Sequence, residues 1–508
     1  MTYKFEREHV SKIFHHMRTV FTLFFGLVYF ISAAQKYPAL YRFLGTPYMK
    51  GASVSFMIKD VQSDTALVNY DADREVIPAS VLKLVTTATA LEVLGENFRY
   101  ETAIAYDGEI KDSTLYGNIY IIGSGDPTLG SSETGRDTDK TIREWVAAIK
   151  KAGVRAITGS VIADESIFDW DGVSMKWMRE DLGSYYGQGS YGLNIFDNRY
   201  TLYLKTEAPD SKPVILKTEP EMPSLLFHNY LITAKSEKDS TYIIGLPYMN
   251  ERYLYGVVPP YRHEFRLRGD IPEPALFLAQ YLTKQLQKSG VSVGEAPVNY
   301  RILSQNNAFN NRERKILIVT SSPSLQELVS ITNHVSHNLY ADVLLKTIGL
   351  KIRSGEADSS FDKGEGISSF DKGVRMLKQH WAGKGLNTSS VWMYDGCGLA
   401  TADKLTASFI CDLLSYMFTQ STVSKSFIES LPRAGMEGTV ANTLRGSRLQ
   451  EITRLKSGSM SRVRSYAGYV TQDNRVFVVA ILVNNFSCTQ SQMKMDIERL
   501  LLALFNTL

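Results

Sequence analysis

Strand patterning stands at both ends of this chain, each block beside an apolar helical stretch, and that pairing limits the fold more than any other feature. Residues 54–58 and 65–70 read as two short strands joined by a polar turn. Val81, Leu84, Val85, Ala88 and Leu91 then fall on one helical face, with Gly95 as the stop. Near the other end, 455–459, 465–471 and 476–483 have strand character, the last two joined through Asp473-Asn474. Met493, Ile497, Leu500, Leu501 and Leu504 follow helical spacing and close the chain. Strands from the two ends are therefore expected to pair into one antiparallel sheet backed by the first and last helices, an α+β arrangement with the middle of the chain inserted.

The middle alternates strand-like runs such as 117–122 with helical stretches at 141–152 and 274–288. At 508 residues and 44% hydrophobic content the chain is long enough for two or three domains. The expected division is a leader over 1–34, a discontinuous catalytic unit over 35–99 and 320–508, and an inserted α/β region of one or two subdomains over 100–319. A short tandem repeat, Ser359-Ser360-Phe361-Asp362-Lys363-Gly364 and again Ser368-Ser369-Phe370-Asp371-Lys372-Gly373, is expected to mark a polar surface loop.

The leader has Lys4, Arg7, Lys12 and Arg18 ahead of an uncharged apolar run over 20–31, ending in Ser32-Ala33-Ala34. That is the pattern of a secretory signal peptide cleaved after Ala34. The run falls short of the roughly 20 apolar residues that span a bilayer, so an uncleaved anchor ranks second and membrane contact is expected to be peripheral at most. Export to the periplasm follows. Lys plus Arg is 56 against 53 for Asp plus Glu, and a formal charge of +3 gives no reason to expect nucleic acid as a partner. Three cysteines, Cys397, Cys411 and Cys488, form no C-x-x-C pair, and no H-E-x-x-H occurs. No metal or cofactor is expected; an oxidising compartment would allow one disulfide.

Three short elements carry chemistry. Ser80-Val81-Leu82-Lys83 places an amine one helical turn from a hydroxyl, and a serine hydroxyl is a weak nucleophile until a neighbour takes its proton. Ser360/Lys363, Ser369/Lys372 and Ser491/Lys494 share that spacing, but only Ser80 sits between a strand pair and a strongly apolar helix. Ser336-His337-Asn338 puts a hydroxyl and an amide two residues apart at the entry to a helix; Ser304-Gln305-Asn306 has the same form. Lys456-Ser457-Gly458-Ser459 falls on what is expected to be an inner strand beside the cleft. A cation and hydroxyls there suit a substrate carboxylate, and Gly458 leaves room for a substrate backbone. Lys288-Ser289-Gly290 repeats the triplet, where it reads as ordinary capping of a helix end.

In the order S-x-x-K, S-x-N, K-[ST]-G, these elements resemble the penicillin-binding protein and serine β-lactamase superfamily. The interval from Ser80 to Ser336 is far wider than in a compact β-lactamase and resembles the low-molecular-mass DD-peptidases of the penicillin-binding protein 4 type, peptidase family S13. Gly123-Ser124-Gly125-Asp126-Pro127, Val161-Ile162-Ala163-Asp164-Glu165-Ser166, Asp395-Gly396-Cys397-Gly398-Leu399 and Ala467-Gly468-Tyr469 extend the resemblance from about Ser53 to the C-terminus. Cys397 stands where the family often has Ser, and is not expected to act as a nucleophile, a small packed thiol being the commoner case.

The resemblance implies an antiparallel sheet flanked by helices and acylation of Ser80 by the penultimate D-alanine carbonyl of a peptidoglycan stem peptide. Lys83 would accept the proton, Ser336 would relay one to the leaving amine, and Asn338 would hold the donor-chain amide. Lys456, Ser457 and Ser459 would bind the terminal carboxylate, with the N–H groups of Ser80 and Ser459 as the oxyanion hole. Asp164 resembles the position that contacts the substrate's side-chain amino group; a turn carboxylate is the competing role. D-Ala-D-Ala carboxypeptidase or DD-endopeptidase activity, with covalent trapping by β-lactams, is the expected outcome. The alternatives are β-lactam hydrolysis, for which no additional deacylating base stands out, and a silent wall-binding protein, which would have no need of Ser80, Lys83 and Lys456 together.

Overall fold

The computed structural model describes residues 37–310, 312–351 and 368–508. The leader expected over 1–34 and the first copy of the tandem repeat lie outside the described residues. Along the chain, α1 (Pro38–Leu44) precedes the hairpin β1 (Ser53–Asp60) and β2 (Thr65–Tyr70). A single 3-10 turn, Ala79–Leu82, runs straight into α2 (Lys83–Leu94), which stops at Gly95 with φ 83°.

The middle of the chain holds β3 (Glu101–Tyr106), β4 (Ile119–Ile122), α3 (Thr138–Lys151), β5 (Val161–Asp164), β6 (Arg199–Lys205), α4 (Pro274–Lys288), β7 (Val298–Asn299) and β8 (Lys315–Ser321) among its elements. The helices that follow include α5 (Leu325–Val335), α6 (Asn338–Gly349), α7 (Ser369–Gly383) and α8 (Ala407–Thr419). The last elements are β9 (Thr453–Met460), β10 (Val463–Gln472), β11 (Arg475–Asn484) and α9 (Gln490–Phe505).

The two ends do meet in one sheet, with strand order β2-β1-β11-β10-β9 and every pairing antiparallel. Its central strand β11 is buried on both faces, and its side chains alternate as the pleat requires. Val478, Ala480 and Leu482 enter a core shared with α2, α6, α7 and α8, whereas Val479, Ile481 and Val483 face α1 and α9. A strand sandwiched this way reads as a continuous apolar run. Asp473 and Asn474 both adopt positive φ, 51° and 60°, the conformation of a two-residue hairpin turn. Residues of the middle segment form a second core around a mixed sheet of order β7-β5-β4-β3-β8.

Two expectations need correction. β9, which carries Lys456, is an edge strand of the sheet and not an inner one. The second copy of the tandem repeat is not a loop: Ser368 caps α7 by accepting the Asp371 N–H at 3.1 Å, and Phe370 is buried. Serine at a cap with aspartate in the first turn favours helix initiation, so local capping chemistry outweighed the polar composition. The remaining look-alikes fall in ordinary places. Lys288 ends α4 with Gly290 at φ 87° beyond it, and Ser304 lies in the short helix Tyr300–Gln305.

Candidate active site

Ser80 occupies the 3-10 turn ahead of α2, so its hydroxyl and the Lys83 amine stand on one side of a continuous helical segment. Lys83 Nζ lies 3.0 Å from Ser80 Oγ. It also donates to Asn338 Oδ1 at 2.7 Å and to the Cys397 carbonyl at 2.7 Å. Lys83 is wholly buried, and burial pushes its pKa below the ordinary 10.5 against the upward pull of Asp342 and Asp395. The three oxygen neighbours orient the amine, and burial is what favours its neutral form.

Ser336 is the left-handed residue (φ 60°) that ends α5, and Asn338 opens α6 two residues later. Lys456 reaches across from β9: its Nζ donates to Ser336 Oγ at 2.9 Å and to the Ser457 carbonyl at 2.8 Å. Burial, with Lys83 nearby as a second cation, lowers its pKa well below 10.5. The result is a chain of contacts, Ser80–Lys83–Asn338 on one side and Ser336–Lys456 on the other, made from the two ends of the sequence.

Ser457 Oγ donates to Thr439 Oγ1 at 2.8 Å, and Ser459 is exposed on the free edge of β9. Gly458 has a packing role of its own. A Cβ there would lie 2.7 Å from the Pro78 carbonyl oxygen and 3.1 Å from the backbone nitrogens of Ser80 and Val81. The space is taken by the Ser80 turn itself, so a glycine is needed for β9 and that turn to come together.

Among the described residues, Asp164 forms no hydrogen bond or ion pair with this group. It ends β5, pairs with Arg314, and accepts the Ser166 N–H at 3.2 Å. The turn at Asp126-Pro127 is structural, since Asp126 Oδ1 accepts the Thr128 N–H at 2.8 Å and the Thr128 hydroxyl at 2.6 Å. All three cysteines are free thiols, so the disulfide that an oxidising compartment would allow is absent among the described residues.

Several groups at the site carried no assigned role in the sequence. The 395–400 loop winds around the Asp395 carboxylate, which accepts the N–H groups of Cys397, Gly398, Leu399 and Ala400 at 2.6–3.1 Å and the Trp177 indole N–H at 2.7 Å. That winding aims the Cys397 carbonyl at Lys83. The Cys397 thiol is buried, which drives its pKa well above the ordinary value. Asp342, one turn after Asn338, accepts the Gly396 N–H at 2.8 Å, and burial with Asp395 alongside raises its pKa to about 8. From the middle segment, the Tyr186 carbonyl accepts Asn338 Nδ2 at 2.8 Å. Backbone carbonyls leave no mark in a sequence; the glycines on either side of Cys397 are the available signal. Asp342, Asp395 and Cys397 bring potential metal ligands together, but the Asp395 oxygens are already filled by N–H donors, which fits poorly with an ion.

The family model described as D-Ala-D-Ala carboxypeptidase 3 (S13) matches residues 38–504. A D-alanyl-D-alanine carboxypeptidase of Actinomadura sp. (strain R39) is 25% identical over 467 residues, covering 87% of this chain and 80% of its own length. D-alanyl-D-alanine carboxypeptidase DacB of Haemophilus influenzae is 22% identical over 425 residues, 83% of each chain. The crystal structure of penicillin binding protein 4 from H. influenzae superposes with a TM-score of 0.74 at 20% identity, over 93% of this chain and 97% of that one. The same protein complexed with a β-lactam gives 0.70 at 19% identity, with the same coverage. These superpositions establish the fold: an antiparallel sheet flanked by helices, of the penicillin-binding-protein type.

Proposed function

The chain belongs to the D-Ala-D-Ala carboxypeptidase 3 (S13) family, and from that membership we propose that it is an exported serine DD-peptidase acting on peptidoglycan stem peptides through an acyl-enzyme on Ser80. The observation that carries this reading is the buried Lys83 amine 3.0 Å from the Ser80 hydroxyl. Ser80 Oγ attacks the carbonyl carbon of the penultimate D-alanine as its proton passes to Lys83 Nζ. The C–N bond then breaks. The departing D-alanine amine takes a proton through Ser336, whose hydroxyl is held by Lys456 Nζ at 2.9 Å. Water attacks the ester and restores Ser80.

Lys456 also suits the terminal carboxylate. Its charge is disfavoured by burial and by Lys83, so an arriving carboxylate would stabilise the ammonium form and bind where, among the described residues, no anion contacts Nζ. Ser457 and Ser459 on the same edge strand would complete that subsite, with the N–H groups of Ser80 and Ser459 facing the developing oxyanion. For Asp164 the proposed role is exchange, a substrate ammonium replacing Arg314 at its carboxylate. Unchanged kcat/KM for a pentapeptide in Asp164→Asn would remove that assignment.

The catalytic unit is proposed to comprise 35–99 and 320–508, with 100–319 inserted, and the leader to be removed after Ala34. Among the described residues no helix is long and apolar enough to cross a membrane. Sequencing the mature N-terminus tests the leader. Labelled penicillin tests the nucleophile: the protein should be labelled and Ser80→Ala should not, and label persisting in the variant would overturn the assignment. Release of D-alanine from a pentapeptide, set against cleavage of a cross-linked muropeptide dimer, separates carboxypeptidase from endopeptidase action.

A further inference from the structure

His337, between Ser336 and Asn338, is buried and points away from the reacting groups into the middle segment of the chain. Arg199, the first residue of β6, donates from Nη2 to His337 Nε2. His337 Nε2 thus lies between the Arg199 guanidinium, which can only donate, and the Asp197 carboxylate, which accepts. The Asp197 carboxylate completes the group. Its Oδ1 lies 3.2 Å from Nε2 without an aligned donor, and its Oδ2 lies 3.9 Å from Arg199 Nη2 and 3.3 Å from the Ser132 hydroxyl. The anion thus holds the cation, and the cation holds the imidazole. On its other side the ring packs on Tyr340 at 4.2 Å between centroids.

The backbone that delivers Asp197 is unusual. Phe196, Asp197 and Asn198 have φ 55°, 55° and 51°, three consecutive non-glycine residues in the left-handed region. Each such residue is disfavoured, and a run of them persists only where surrounding contacts over-determine it. Here they do. Asn198 Nδ2 donates to the Gly189 carbonyl and to Asn194 Oδ1, both at 2.8 Å, and Asn198 Oδ1 accepts the Ile195 N–H at 3.1 Å. Asn194 in turn donates to the Tyr191 carbonyl at 2.8 Å. A strained segment so thoroughly braced, ending at the middle residue of the S-x-N motif, is the arrangement expected where strain is retained for position.

We infer that Asp197 is a positioning residue: through Arg199 and His337 it fixes the short connection that aims the Ser336 hydroxyl at Lys456 and the Asn338 amide at Lys83. This makes part of the middle segment necessary to the reacting geometry. The inference rests on the acyl-enzyme proposal above. Neutral His337 is consistent with it, since burial lowers that pKa.

Penicillin acylation followed by stopped flow separates the dissociation constant of the initial complex from the acylation rate constant. Asp197→Ala should lower the rate constant by about tenfold or more, because small misplacements of reacting groups are costly, while changing the dissociation constant less than about threefold. Asp197→Asn, which keeps the shape and an acceptor, should recover part of the loss, and it is measured in the same way should the alanine variant not fold. A rate constant within about twofold of the parent in whichever variants fold, or a loss confined to the dissociation constant, overturns the inference. Ser80→Ala separates the two levels: label surviving there sinks the acyl-enzyme reading and this inference with it, whereas label lost there with acylation unchanged in the Asp197 variants sinks this inference alone.

Discussion

Gly458 stands against Pro78 so closely that a single added carbon would lie 2.7 Å from the Pro78 carbonyl oxygen. The edge strand and the turn bearing Ser80 are therefore packed backbone to backbone, and the distance between the Lys456 strand and the Ser80 hydroxyl is set by the absence of a side chain. Gly458→Ala must push one of them away. Overpacking of this kind costs about 1–3 kcal/mol, and displacement of the Ser80 turn should slow penicillin acylation about 10²-fold. Denaturant unfolding and stopped-flow acylation measure the two effects; an unchanged acylation rate would show that the turn tolerates the shift.

Lys83→Met keeps the length of the side chain and removes the proton acceptor. Acylation should fall by about 10²–10⁴, the usual contribution of a positioned general base. A loss below about tenfold would mean that another group takes the Ser80 proton.

The same residue sets a pH dependence. Burial lowers the pKa of Lys83 in the native state below the ordinary 10.5 that applies in the unfolded chain. Between those two values the unfolded chain binds more protons, so native stability from this group rises with pH and is lost as pH falls from 10.5 toward the depressed native value. The unfolding free energy of the parent minus that of Lys83→Met should increase with pH across that window. Acylation should increase in the same direction, since only the neutral amine accepts the proton. A difference that is flat or falls with pH contradicts the depressed pKa.

Cys397 touches the site through its carbonyl, 2.7 Å from Lys83 Nζ, and its buried thiol is held protonated. Iodoacetamide should leave the native enzyme active, and Cys397→Ser should acylate within about threefold of the parent, a small change for a near-isosteric substitution. Rapid inactivation by the alkylating agent would show a thiol far more accessible than its burial allows.

Asp395 collects four backbone N–H groups and the Trp177 indole. Asparagine would turn one acceptor into a donor facing donors. Asp395→Asn should destabilise the protein by about 2–4 kcal/mol in urea unfolding, the range for breaking charge-assisted bonds in a buried site. Because the loop aims the Cys397 carbonyl, acylation should fall as well.

Much of this protein follows from local pattern. Periodicity of two and of 3.6 residues is written into neighbouring side chains, which is why the hairpin 53–70, the helix after Ser80 and the three C-terminal strands are legible without coordinates. The Ser80–Lys83 contact is also local, since three residues of helical backbone bring the hydroxyl and the amine together whatever the rest of the chain does. Other relationships depend on which elements pack together. The edge position of β9, the use of Gly458 as a contact surface, and the meeting of Lys456 with Ser336 across 120 residues of sequence are consequences of the assembled sheet and its helix layers. The groups most easily missed, the carbonyls of Cys397 and Tyr186, belong to the backbone, which is the same at every position. The amino-acid sequence specifies which side chains are available for the chemistry; tertiary packing selects the backbone oxygens and the strained Phe196–Asn198 turn that hold them, because those contacts exist only after distant segments have excluded water between them.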